Sequence, residues 1–169
     1  SLDVVAHDKS RIDTFSGQVT VITGNASIGA AIAHSETGNE VTAEVICADV
    51  DVSERTGITA GNDARIRTLS ASGGGSSTFA FNGSASSAHI ANETTARLQN
   101  ARAKNTGNAV TVAAGDESVV QTLSGAVALS GTVSVGAAVA VNRIGNTTRA
   151  HVSGVATGEL YDVRQLVVQ

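Results

Sequence analysis

Asp49 and Asp51 flank Val50, and Glu54 follows three residues later. Side chains two apart on a strand face the same way. Asp49 and Asp51 would therefore share a face. Carboxylates set out like this can act as acid and base on a polysaccharide, or ligate calcium. The corresponding region further along holds Arg102 and Lys104, and further still Ala156. The acidic set is therefore not repeated, and a solvated charged face explains it more simply.

Other reactive types are scattered. His7, His34, His89 and His151 lack the close HxH or HExxH spacing of metal ligands. They read as surface or structurally satisfied histidines. Gly73-Gly74-Gly75-Ser76-Ser77 is glycine-rich, but no lysine follows at phosphate-loop spacing. It reads as a corner. Asp63 in Gly-Asn-Asp and Asp116 in Ala-Gly-Asp-Glu suggest two similar turns, with turn capping favoured over calcium. Cys47, between apolar neighbours in VICAD, reads as a small buried residue. There is no GxSxG elbow. Sequons at Asn25, Asn82, Asn92 and Asn146 matter only in a eukaryotic host. The sequence assigns no catalytic residue, no cofactor and no metal.

Composition narrows the partners. The 169 residues carry 11 Lys and Arg against 15 Asp and Glu, a net charge of −4. No basic cluster runs along the chain, which argues against nucleic acid and an anionic membrane surface. No apolar run approaches the roughly 18 residues of a membrane-spanning helix. There are three phenylalanines, one tyrosine and no proline, methionine or tryptophan. Ala, Val and Ile dominate the apolar set, which suits closely packed strands better than a thick spherical core. The lack of methionine and the start at Ser1-Leu2 predict a piece of a longer chain.

The elements that carry these residues recur. Thr68-Leu69-Ser70 matches Thr122-Leu123-Ser124 at a shift of 54, and Ile12, Thr14 and Ser16 match Ile66, Thr68 and Ser70. Asn39 matches Asn92 with one residue of slippage, and Asn92 matches Asn146. The chain thus divides into units at about 11–63, 65–117 and 119–169. Each begins with a short strand (Ile12–Phe15, Ile66–Leu69, Val119–Leu123) and a Ser/Gly/Ala link. An alternating run follows, such as Ile28 and Ile32, Phe79 and Phe81, or Val133 and Val135. A polar corner with Asn39, Asn92 or Asn146 then leads to another short strand. The large alternating residues are expected inside. The corner asparagines are expected to bend the chain through left-handed backbone.

No unit can bury an apolar face alone, whereas stacked units can. The expected fold is all-β, a parallel β-helix solenoid of about three 54-residue repeats. At two coils per unit it would have about six coils and measure roughly 30 Å along the stack.

GTVSVGAAVAVNRIGNTTRAHVSG (131–154), with VTVAAGDESVVQTLSGAVALSG (110–131) before it, resembles repeats of large bacterial filamentous adhesins and Fusobacterium-type leukotoxins, which are similar to filamentous haemagglutinin. The resemblance implies a right-handed β-helix in a secreted or cell-surface virulence protein. It implies a scaffold or adhesion role, no catalytic residues, and a host cell-surface protein or glycan as partner beside the parent chain's neighbouring coils. Arg97, Asn146, Thr148 and Arg149 are the candidate ligand face. A β-helical polysaccharide lyase or hydrolase and a structural fibre component are the alternatives.

Overall fold

The computed structural model describes residues 1–105, 109–154, 160–161 and 165–169. The first coil holds β1 (Leu2–Val21), β2 (Ala26–Thr37), β3 (Glu40–Ile46) and β4 (Asp49–Val52). The second repeats them as β5 (Thr56–Ser76), β6 (Phe79–Ile90), β7 (Glu93–Gln99) and β8 (Arg102–Asn105). The third has β9 (Ala109–Ser130), β10 (Val133–Ile144), β11 (Thr147–Ser153) and β12 (Leu160–Tyr161), and β13 (Gln165–Val168) opens the next level. Equivalent strands pair in parallel in four sheets, ordered β1-β5-β9-β13, β10-β6-β2, β11-β7-β3 and β12-β8-β4. This is an all-β parallel solenoid.

The 54-residue period is the coil itself. Ile12 pairs with Ile66, and Ile66 with Val120. There are three coils where two per unit had suggested six. With β13 added, the long sheet spans three strand spacings, about 14 Å along the stack. The difference lies in the Ser/Gly/Ala links, which do not turn. Ser70–Ser76 continues β5, which reaches 21 residues. Gly61-Asn62-Asp63 and Gly115-Asp116 also lie within strands rather than turns. Small residues do not force a bend where an opposite sheet packs close enough to need them. The slippage seen in sequence is physical: Val21 pairs with Gly75, 54 residues on, but Ala26 pairs with Phe79, 53 on. One extra residue thus sits in the first coil's corner before β2.

Two halves with opposite polarity make up each coil. In the base, Ile58, Val110, Val112, Leu98 and Val41 point inward and are buried, as are Ile66 and Ile90 beside them. The outward positions of β1 there are Asp3, Val5, His7, Lys9, Arg11 and Asp13, all but one of them polar. Beyond Thr14 the pattern inverts. Inward positions become small or polar: Ser70 and Ser72 on the long sheet, Ser27, Ala31, Ala80 and Ser84 on the facing one. Phe15, Val19, Ile28, Ile32, Phe79, Phe81, Leu123 and Val139 point outward and are exposed. The large residues of the alternating run were expected inside. Period-two patterning defines two faces without saying which is buried, and close approach of the sheets selects the small-residue face. Gly136 illustrates the approach, since a Cβ there would lie 3.0 Å from the Ala126 carbonyl oxygen.

The corners between this facing sheet and β3, β7 and β11 are stitched by asparagines. The Asn39 N–H donates to Asn92 Oδ1 at 3.0 Å, and the Asn92 N–H donates to Asn146 Oδ1 at 3.0 Å. Their amide nitrogens reach across the interior. Asn39 donates to Asp8 at 2.7 Å and Ser10 at 2.9 Å, and Asn92 to Ser118 at 3.2 Å. Asn146 donates to Asp116 and to Ser118. Asn62 donates to Asp116 as well, at 2.7 Å. None of the three corner asparagines is left-handed, contrary to expectation. They recur because the side chains of Asn92 and Asn146 each accept from the main chain of the coil before.

Asn82 makes a useful contrast. It is buried between Gly29 and Gly74, and neither amide atom has a hydrogen-bond partner. Asn92→Ala should cost about 2–4 kcal/mol, because it orphans a main-chain N–H and removes the cross-interior donor. Asn82→Ala should be neutral or stabilising, since a buried unpaired amide is worth little in packing. Chemical denaturation of both variants checks this, and equal losses would show that the ladder has no special weight.

Candidate functional site

The outward face of β3, β7 and β11 carries Arg97, Arg149 and His151 among the side chains singled out from sequence. Period two puts Glu40, Thr42 and Glu44 outside on the first strand, and Glu93, Thr95 and Arg97 outside on the second. Register stacks them into columns: Glu44–Arg97–His151, Thr42–Thr95–Arg149 and Glu40–Glu93–Thr147. Opposite charges meet between adjacent coils. The Arg97 guanidinium binds the Glu44 carboxylate through two nitrogens, and Arg149 lies 3.7 Å from Glu93. Together these residues line a shallow groove.

The candidate ligand face is therefore split. Arg97 and Arg149 stand on this outer face, already engaged with carboxylates. Asn146 belongs to the corner ladder and turns toward Asp116 and Ser118. Thr148 stacks in the column of Val41 and Thr94, both buried, so it faces the interior line.

The acidic set forms cross-coil pairs. Asp49 pairs in register with Arg102, their charged atoms 4.0 Å apart, and Asp51 pairs with Lys104. The Arg102 guanidinium thus stands over the Asp49 carboxylate, and Lys104 follows Asp51 in the backbone register. Opposite charges in neighbouring strands stabilise a sheet modestly. Ala156 lies outside the described residues. Glu54 sits between β4 and β5. Asp63 points outward and accepts from Arg65 at 3.2 Å, whereas Asp116 points inward and accepts from Asn62. They occupy neighbouring columns on opposite faces and cap no turn. Among the histidines, His34 and His89 approach the same carboxylate, Glu36, at 3.8 and 3.4 Å. His7 is exposed on β1, and His151 tops the Arg97 column. Among the described residues, no three or more His, Cys, Asp or Glu side chains come together as metal ligands.

No family model, curated protein or solved structure matches this chain. The arrangement must be read from its own geometry. Among the described residues, no helix is long and apolar enough to cross a membrane.

One feature escaped the sequence reading. Cys47 is exposed, not buried, and has φ of 50°. Asn100 at 48° and Gly154 at 67° occupy the same corner in the next two coils. The Cys47 N–H donates to Gln99 O at 3.0 Å and the Asn100 N–H to Ser153 O at 2.9 Å, which keeps the column in register. The corner requires left-handed backbone, which glycine and asparagine tolerate and cysteine does not. The glycine in the third coil was the available signal.

Two outcomes follow. Cys47→Gly should stabilise by about 0.5–1 kcal/mol, because left-handed strain outweighs the added backbone entropy. Gly154→Ala should destabilise, since its Cβ would fall 1.9 Å from Asn100 Oδ1. Thermal unfolding of both reads the signs. A double-mutant cycle on Arg97 and Glu44 should give a coupling of at most about 1 kcal/mol that falls with added salt, as expected for a half-exposed pair.

Proposed function

We propose that this chain is an extracellular scaffold and adhesion segment of a large bacterial adhesin or leukotoxin-like virulence protein. The observation that carries the reading is the ladder on the outer face of the base. Glu44 with Arg97, Glu93 with Arg149, and Asp49 with Arg102 are joined coil to coil. Charged side chains engaged with neighbouring coils stiffen a rod, and Thr42 and Thr95 between them add to the polar surface offered to a host protein or glycan. The resemblance of residues 110–154 to adhesin and leukotoxin repeats points the same way. Secretion or display at the bacterial surface belongs to this reading.

A polysaccharide lyase or hydrolase is the second reading, favoured only by Asp49 and Asp51, which share the outward face of β4. Surface-immobilised protein should adhere to cultured host cells in a saturable way and release no reducing ends from acidic polysaccharides. Arg97→Glu with Arg149→Glu should weaken adhesion several-fold if this face makes the contact. Release of reducing ends that is lost in Asp49→Asn with Asp51→Asn would establish the enzyme instead. Absence of both activities would leave a structural fibre component.

A further inference from the structure

We propose that the half of each coil beyond the charged base is a blade that enters the hydrocarbon layer of a lipid bilayer. Residues 14–33, 68–88 and 118–142 contain no Asp, Glu, Lys, Arg or His, although these types make up much of the remaining sequence. The fold gathers all three stretches into one half of the molecule, as two facing sheets. Thr14 meets Ser35 at 2.6 Å and Ser86 meets Ser124 at 2.5 Å across the interior, so the two sheets leave the base at the same level. Charge resumes there on both, at Asp13 and Arg67 on one sheet and at Glu36, His89 and Arg143 on the other.

Both outer faces of the blade are apolar. Phe15, Val19 and Leu129 are 72%, 83% and 69% exposed on one, and Ile28, Ile32 and Phe81 are 77%, 74% and 57% exposed on the other. The inner faces are serine, threonine, alanine, glycine and asparagine, with Gln18 on β1. Apolar outside with small and polar inside is the pattern of strands that meet lipid. From the level of Thr14, Thr68 and Thr122 to the tip each strand has eight to ten charge-free residues, about 26–33 Å at roughly 3.3 Å each, and in β9 the charge-free run begins four residues earlier at Ser118. A bilayer's hydrocarbon is about 30 Å thick. The blade tip carries only uncharged residues: Ile22, Thr23, Gly24 and Asn25 in the first coil, Ser77 and Thr78 in the second.

A second copy fits the faces less well. Each face measures about 30 Å by three strands, on the order of 400 Å². A stable dimer buries about 800 Å² per partner. A two-fold contact would also leave each copy's other face in water, whereas a lipid phase covers both. Hydrocarbon cannot satisfy the main-chain groups of an unpaired strand edge, so the strands at either end of this stack must pair with a further coil or with another copy when the blade inserts.

The test uses the whole chain and vesicles of zwitterionic phosphatidylcholine, which separates acyl insertion from charge attraction. The native chain has no tryptophan, so Phe81→Trp on the blade and His7→Trp on the base report depth. Wild type should float with the vesicles, Phe81→Trp should shift to the blue and be quenched by brominated acyl chains, and His7→Trp should do neither. Phe79→Asp with Phe81→Asp should lower the floated fraction about tenfold or more while keeping the circular dichroism of the wild type. Failure of the wild type to float, equal flotation of the Asp variant, or soluble oligomers that ignore vesicles would each overturn the proposal. If the Asp variant fails to fold, the quenching contrast between Phe81→Trp and His7→Trp decides. None of these outcomes depends on the adhesion assay.

Discussion

Asp116 accepts from Asn62, Asn92, Asn146 and Ser118, and this cluster holds the stack in register. A parallel ladder alone does not choose its register firmly, because main-chain bonds repeat every two residues. A half-buried carboxylate with four donors does choose, since a slip would separate it from all of them at once. The column Asp8–Asn62–Asp116 also alternates charge with amide. Carboxylates in all three places would lie one strand spacing apart and repel. The second coil therefore has the amide, and its corner residue Asn92 reaches to the third coil's Asp116 and Ser118.

That cluster also marks where the two halves of the coil divide. On the base side, β-branched and leucine side chains fill the width between the long sheet and β3, β7 and β11. On the blade side, the sheets close until only small side chains fit. Several hydroxyls there, on Ser27, Ser72 and Ser84, are buried without a partner. A serine-lined interior contributes little hydrophobic stabilisation. The blade is held instead by its ladders and by the base, so its folding should follow that of the base. Its outward large residues gain little from burial in the isolated chain in water, and the second coil keeps only Leu69, Phe79 and Phe81 among them, with Gly73 standing between Val19 and Val127 and Gly75 between Val21 and Leu129.

Much of the architecture was legible in sequence. The period of 54, the one-residue slip and the corner asparagines all come from stacking like on like, and stacking writes identical residues at identical intervals. The direction of the faces was not legible. In 26–33, alternation of Ile and Ala with Ser and Gly is symmetrical between burying the large set and burying the small one. The ordinary expectation that large residues go inside assumes a thick core and water outside. Coil size was misjudged for a related reason: Gly73-Gly74-Gly75 looks like a corner, yet these glycines continue a strand in which only Gly74 faces the close-packed interior and a Cβ at Gly73 would meet open space. Gly74 sits against Asn82 and Ser27. The pairing of Asp49 with Arg102 could have been read from the slipped alignment, because residues at a shift of 53 are neighbours across coils.

The same structural logic limits what chemistry the outer faces can perform. In a solenoid every outward residue has a neighbour one strand spacing above and below, so a carboxylate is available to a substrate only if the column does not already neutralise it. On the base, Glu44 and Glu93 each meet an arginine from the next coil, and Asp49 stacks under Arg102. Such columns favour a surface recognised as a pattern, by many weak contacts, over one in which a single perturbed group does the chemistry. The blade offers the opposite case. Its columns are apolar, repeat without charge and face outward on both sides, and their free energy falls only where water is excluded. A charged, self-paired base beside an uncharged blade is thus an element built to stand with one half in water and the other half out of it.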